Sequence, residues 1–314
     1  MDAEQTNHLE VGLALPEHYG AALWMATGGR TRLASRGRVT ALLAAEKQGK
    51  IHFNGLYTAK RGKRIVASLW CLNQPGRIAT IWGPGRLPSE SACTVDTLLR
   101  EAIEKATEQG CHLIQSLVGA DNPGAGELLS RGGFRPITIL DTLQAYSDEF
   151  YAEPPSPELE WTVCEDHRDP SFVDRVEQTY VDSLDCPELD SLREIEDVLD
   201  GYFATSGRST EYWFQLHHRG VPAGVLILAH HQDANQLELI YFGLVSAVRG
   251  RKLGGEVLRL VIEIARQLDC QSIVTGADQR NLPALSLYRR FGFHQVDSKQ
   301  LYLLSLRRGS MAVA

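Results

Sequence analysis

The six cysteines of this 314-residue chain (Cys71, Cys93, Cys111, Cys164, Cys186 and Cys270) include no Cys-x-x-Cys pair. Their spacing writes neither a zinc ribbon nor a dithiol redox motif, so reduced thiols and no metal are expected. No stretch of about 18 uncharged apolar residues occurs, which removes the expectation of a membrane-spanning helix. The opening MDAEQTNHLE is acidic where a secretory leader is basic and then apolar, so a cytoplasmic location is expected. Basic charge is not in excess either: 39 acidic residues against 32 Lys and Arg leave a formal net charge of -7. Nucleic-acid binders present basic surfaces, so no nucleic-acid partner is expected. What is present is a globular composition, 43% hydrophobic and 23% charged, with length enough for two domains at about 100 to 200 residues each.

The stretch 147–160, SDEFYAEPPSPELE, gathers acidic residues around Pro154, Pro155 and Pro157, which cannot continue a helix or a central strand. It divides the chain into expected domains 1–150 and 151–314. The two halves repeat. Shifted by 159 positions (281 minus 122), residues 99–134 lie on 258–293 without a gap, matching at Leu99/Leu258, Ile103/Ile262, Cys111/Cys270, Asn122/Asn281, Arg131/Arg290 and Phe134/Phe293, among others. The Asn and Gly-Phe matches fall in loops, where helical periodicity imposes nothing, so a duplicated domain explains them.

In the second half, 159–165 reads as a strand, followed by helical patterns near 170–184 and 192–205. Alternating apolar and polar residues mark strands at 211–219, 221–231 and 236–245, with Gly220 in a tight connection. A long amphipathic helix over 250–269, a short strand at 272–277, a helix at 283–291 and a closing strand through 301–306 complete the order. The implied fold class is α+β: a mixed, mostly antiparallel sheet flanked by helices.

Between the strand ending near Val245 and the long helix lies SAVRGRKLGGEVL. Glycines allow close backbone approach, a helix N-terminus offers open N–H groups, and Arg249, Arg251 and Lys252 add charge, so a phosphate or pyrophosphate is expected there. The loop is neither a Walker A loop nor a dinucleotide GxGxxG. Downstream, NLPALSLYRRFGF (281–293) supplies Asn281, Tyr288, Gly292 and Phe293 in fixed order.

Together, RGRKLGG and NLPALSLYRRFGF resemble the acetyl-CoA signature of the GNAT superfamily of N-acetyltransferases, over essentially all of 158–306. The resemblance implies two tandem GNAT-like acyl-CoA N-acyltransferase domains. It implies acetyl-CoA, or another acyl-CoA, held by Gly243, Leu244 and Val245 through backbone groups, and by Arg249, Gly250, Arg251, Lys252, Leu253, Gly254 and Gly255 around its pyrophosphate. Asn281 and Tyr288 would complete the set. One position departs from the pattern, since Lys252 stands where the family carries glycine.

Chemistry supports the assignment separately. Acyl transfer from a thioester to an amine needs a neutral nucleophile, a stabilised oxyanion and a proton for the departing thiolate, whose conjugate acid has a pKa of about 8.5. A tyrosine hydroxyl can give that proton, which is the role expected of Tyr288. Glu238 is the expected base, directly or through a water, by resemblance to histone acetyltransferase-like members. Where other members carry a glutamate five positions before the Asn, this chain has Gly276, and Asp278 reads as a loop-orienting residue. His217, His218, His230 and His231 do not form a metal pattern, because adjacent histidines on a strand point to opposite faces.

The same offset places Ala79 on Glu238, Leu129 on Tyr288, and Glu90 to Asp96, a run without glycine, on the Arg249 to Gly255 loop. A carboxylate at each end of that run repels pyrophosphate. The first half is therefore expected to be a degenerate, non-catalytic copy. The expected function is transfer of an acetyl group from acetyl-CoA to a primary amine, of a small molecule or a peptide, in the second half. Two alternatives stay open: a non-catalytic CoA-binding regulatory or structural module, and a small-molecule acetyltransferase resembling mycothiol synthase. The acidic run Asp182, Asp185, Glu188, Asp190, Glu194, Glu196, Asp197 and Asp200 would favour a cationic acceptor.

Overall fold

The computed structural model describes residues 8–28, 32–120, 122–150, 153–190 and 192–307. They divide into two compact units, one running to Ile137 and resuming at Lys299, the other Thr138–Ser298. The first unit holds β1 (Leu9–Leu13), α1 (Tyr19–Ala26), α2 (Arg32–Lys47), β2 (Leu56–Arg61), β3 (Arg64–Gln74), β4 (Ile78–Arg86), α3 (Ala92–Glu108), β5 (Leu113–Gly119) and α4 (Pro123–Arg131). From β6 (Arg135–Tyr146) the chain enters the second unit: β7 (Leu159–Val163), α5 (Pro170–Tyr180), α6 (Pro187–Asp190), α7 (Ile195–Thr205), β8 (Trp213–His218), β9 (Val221–His231), β10 (Gln236–Leu244), α8 (Leu253–Gln267), β11 (Ser272–Asp278), α9 (Leu282–Arg290) and β12 (His294–Ser305).

The duplication is visible in the elements themselves. β5 and β11, α4 and α9, and β6 and β12 begin and end at positions 159 apart. Within the second unit the strand order is β6-β11-β10-β9-β8-β7. β10 and β11 are parallel, and the other pairs are antiparallel. The first unit repeats this order as β1-β2-β3-β4-β5-β12, with β4 and β5 parallel.

The boundary expected at residue 150 moves. β6, the last strand of the first repeat, pairs along β11 from Leu140 to Tyr146, inside the second unit. Residues Lys299–Ser305 of β12, the last strand of the second repeat, pair with β5 inside the first. The proline-rich stretch marks where local structure stops, but hydrogen bonding of a strand is decided by its neighbours, so the compact units do not follow the repeats.

Both faces of the second unit's sheet are covered. α8 is amphipathic and buries Val257, Leu258, Leu260, Val261, Ile264 and Ala265 on one face, sharing a core with Phe214, Leu226, Leu228 and Leu239. On the opposite face Phe172 and Val176 of α5 and Leu199 of α7 pack with Trp213, Val225 and Ile227. Among the described residues no helix is long and apolar enough to cross a membrane.

Candidate active site

In the second unit the parallel ladder between β10 and β11 ends early. It runs from Gln236↔Ser272 to Leu239↔Thr275 and no further. At that point β10 carries a bulge, since Leu239 pairs with Leu228 and Tyr241 with Ile227, leaving Ile240 extra. The bulge turns the strand away from β11, so Ile240–Leu244 keep β9 on one side and, among the described residues, have no ladder partner on the other. The parting opens a cavity of about 650 Å³, whose walls include Gly243 and Leu244 of β10, Gly276 of β11, and the turn before α8.

That turn is the site's most distinctive feature. Gly250 has φ of 75° and Lys252 a φ of 65° and ψ of 6°, both left-handed. These values stop the helical pattern of 250–269 from forming before Leu253. Lys252 is the N-cap of α8 and its side chain makes no capping hydrogen bond; the Gly255 N–H donates to the Lys252 carbonyl at 3.1 Å, so the Leu253 and Gly254 N–H groups and the dipole end are left for a ligand. The left-handed conformation also gives the physical reason for glycine at this position, because an L-residue there is strained by about 1 kcal/mol. Gly250, Lys252, Leu253, Gly254 and Gly255 line the cavity.

Arg249 lines the cavity too, but its guanidinium is already bonded. Nε donates to the Leu244 carbonyl (2.9 Å), Nη1 to Asp182 (3.0 Å) and Nη2 to Thr179 (2.8 Å). The residue expected to meet pyrophosphate with its charge instead ties the end of α5 to the end of β10. Exposed Arg251 and partly buried Val245 are not among the cavity-lining residues. The Val245 N–H is bonded to the Ala223 carbonyl.

α9 supplies two expected residues. Asn281 caps it, its Oδ1 accepting the Ala284 N–H at 3.3 Å. Tyr288, two turns along, lines the cavity and is only 7% exposed. Burial raises its pKa well above the ordinary tyrosine value, the Asp185 charge adds to this, and a hydrogen bond with Thr275 opposes it. The phenol stays neutral and a donor throughout the physiological range.

Asp185 was not singled out by sequence, because nothing local distinguishes it from the carboxylates around it. Its Oδ1 accepts the Asp278 N–H at 3.0 Å, while Asp278 Oδ2 accepts the Cys186 N–H at 3.2 Å. Asp278 is fully buried, bonded to Thr138 (2.7 Å) and to Arg280, and Arg280 also grips Glu188 at 2.6 and 2.8 Å. Burial pushes the Asp278 carboxyl up, and the hydrogen bonds from Arg280 and Thr138 outweigh it, leaving a pKa of about 2. The loop-orienting role expected of Asp278 is thus matched by its contacts: it clamps the 182–190 segment against the β11–α9 turn. Asp185 in turn lines both the first cavity and a second of about 440 Å³.

Glu238, the expected base, is outside both cavity linings. Its side chain leaves β10 before the bulge, and its Oε2 lies 2.6 Å from His231 Nε2. The resemblance located the strand but not the break in its ladder, and only residues past that break face the cavity. His218 is likewise engaged, 3.5 Å from Glu158.

The equivalent helix start in the first unit is closed. Ser91 caps α3, its Oγ accepting the Cys93 N–H. Glu90 is held by Arg61 at 3.0 Å and by the Thr94 hydroxyl at 2.6 Å, contacts that keep its carboxyl ionised down to a pKa of about 2. Ala79 and Leu129, the counterparts of Glu238 and Tyr288, are fully buried.

Residues 139–293 match the model of the acetyltransferase (GNAT) family. These residues form a GNAT-family domain. No curated protein matches it. Among solved structures, a GCN5-related N-acetyltransferase from Sphaerobacter thermophilus is 15% identical, with 96% of each chain covered and a TM-score of 0.60. A tandem GNAT protein from the clavulanic acid biosynthesis pathway is 16% identical, covering 96% of this chain and 100% of its own, with a TM-score of 0.50. A GNAT-family acetyltransferase from Colwellia psychrerythraea is 12% identical over 94% of this chain and 98% of its own, also at 0.50. These likenesses are of fold, and they extend the tandem GNAT architecture over both units. This GNAT protein is accordingly an N-acetyltransferase by family, and acyl-CoA-dependent acetyl transfer is its general chemistry.

Proposed function

We propose that the second unit transfers an acetyl group from acetyl-CoA to a primary amine by direct attack, and that the first unit binds no CoA. The observation that carries the reading is the uncapped, left-handed start of α8, opening on a cavity whose floor is the unpartnered edge of β10. These groups fit the carrier. Gly250, Lys252, Leu253, Gly254 and Gly255 would hold the pyrophosphate, largely through backbone N–H groups and the helix dipole. Backbone groups of Gly243 and Leu244 would align the pantetheine arm as a further strand would be aligned. When bound, acetyl-CoA supplies the acyl group as an activated thioester.

Tyr288, which also lines the cavity, does the rest. Held neutral by burial, its hydroxyl donates toward the sulfur and supplies the proton that the thiol retains. Because a phenol with a raised pKa gives up its proton reluctantly, it must recover it quickly from the reacting amine or from water.

Calorimetric titration of the full chain with acetyl-CoA, combined with CoA release by Tyr288→Phe, tests this. The expected result is acetyl-CoA binding within about twofold of wild type and a turnover lower by about 10²-fold or more. Unchanged turnover removes Tyr288 as the proton donor, and binding without release from any amine makes the protein a CoA-binding module.

A further inference from the structure

The second cavity, bounded by α5, α6, α7 and the sheet, meets the first along Asp185, Ile240, Tyr241, Gly276 and Ala277. We propose that it admits a cationic amine bearing a hydroxyl or carbonyl oxygen, and that Asp185, at the junction, takes the ammonium proton. This inference rests on acetyl-CoA occupying the first cavity as proposed above.

Three features argue for that class of acceptor. The charged residues lining the cavity are Glu177, Asp185, Asp190 and Glu194 against Arg193 alone, a balance that attracts a cation. Tyrosine rings form part of the wall: Tyr202 and Tyr241 stack at 5.8 Å, and Tyr180 meets Tyr241 edge-on at 5.3 Å. Aromatic faces attract ammonium groups. Finally, Arg193 Nη2 donates to the Asp197 carbonyl at 3.2 Å, whereas its buried Nε has no acceptor among the described residues. A buried N–H without a partner costs stability unless a ligand accepts from it, and an oxygen on the acceptor would do so.

Asp185 is placed for proton removal by geometry. It lines both cavities, and the Asp278 N–H holds its carboxylate at 3.0 Å. Its side chain is packed among charged neighbours yet keeps exposed surface. Burial raises its pKa, the Asp278 charge adds to this, and hydrogen bonds from the Asp278 N–H and Asn281 oppose it. An amine of pKa about 10.4 is mostly protonated near neutrality, so a carboxylate of raised basicity at the point of attack is useful. In the balanced step, Asp185 accepts one ammonium proton and passes it to water. The N–C bond then forms, the C–S bond breaks, and a second nitrogen proton reaches the sulfur by way of Tyr288.

The test uses the full chain, CoA release as readout, and three probe amines: 4-aminobutan-1-ol, butylamine and 4-aminobutyrate. The amino alcohol is expected to exceed each of the others in kcat/KM by about tenfold, and Arg193→Met to erase its advantage over butylamine, roughly the value of one hydrogen bond. Asp185→Asn is expected to bind acetyl-CoA within about twofold of wild type and lose about 10²-fold in kcat near neutrality. That deficit should shrink as pH rises toward the pKa of the amine itself, a recovery that structural damage would not produce. Other groups interacting with Asp185 are Arg280 beyond β11, Asp190 of α6 and the neighbouring Cys186. Tyr202, Tyr241 and Tyr288 face it from α7, β10 and α9. Their presence in the variant makes the comparison one of Asp185 alone. Preference for 4-aminobutyrate, wild-type turnover by Asp185→Asn, or no turnover of these amines by a chain that binds acetyl-CoA overturns the inference. Failure of the wild type to bind acetyl-CoA overturns the cofactor reading beneath it.

Discussion

Arg249 and Asp278 illustrate how charged residues beside the proposed cofactor cavity can act on the protein rather than on a ligand. The fork of Arg249 satisfies three carbonyls belonging to α5, the loop after it and β10. A lysine has the charge but not the planar fork, so Arg249→Lys should behave almost as badly as Arg249→Ala. Both are expected to lower stability by about 1–3 kcal/mol in denaturant titrations and to weaken acetyl-CoA binding through displacement of the β10 edge. A Lys variant of wild-type stability would show that charge alone suffices. Asp278 gives a pH-dependent version of the same point. Its folded pKa of about 2 lies below the ordinary value, so its contribution is complete above the unfolded pKa and is lost as pH falls through the folded one. Asp278→Asn should therefore be less stable than wild type by about 2 kcal/mol at neutral pH, with the gap closing toward pH 2. A gap independent of pH would assign the loss to packing.

The start of α8 and its counterpart α3 are the same helix end put to different uses. α3 is capped by Ser91 beside Glu90, while α8 begins at a strained Lys252 with no side-chain cap. Lys252→Gly should relieve the left-handed strain and raise stability by about 1 kcal/mol, as read from the unfolding midpoint. Acetyl-CoA affinity should fall at the same time and become less sensitive to salt, because a cation at the proposed pyrophosphate position is gone. Tighter binding by the glycine variant would mean that loop geometry outweighs charge. The family signature made this helix start legible in the sequence. The bulge at Ile240 was not legible, because a bulge depends on which residues of β9 stand opposite.

The exchange of last strands sets how the chain can be cut. A fragment 151–314, following the proline-rich stretch, lacks β6 and leaves β11 without its antiparallel partner over Leu140–Tyr146. It should aggregate or melt well below fragment 138–298, which retains that strand, because an open central edge invites pairing with other chains. Equal melting curves by circular dichroism would refute the dependence on β6. With the start of α3 capped by Ser91 and that of α8 open, the intact chain should bind acetyl-CoA with a stoichiometry of one. Two equivalents in calorimetry would make the first unit a second cofactor site.

Read alone, the amino-acid order carried the duplication, the α+β class and the loop that would receive a diphosphate. Each is written in short-range patterns: a fixed offset, alternating polarity, and glycines with cations at a helix start. Tertiary contacts made the other decisions. They took Glu238 out of the cavities, committed the Arg249 guanidinium to carbonyl groups, brought Asp185 to the junction of two cavities, and moved the unit boundary to Ile137. The physical reason is common to all four. Which groups meet across a ladder that ends early, and which strand fills the adjacent place, depends on partners 36 to 140 residues away in the chain, a distance at which local propensity has no influence.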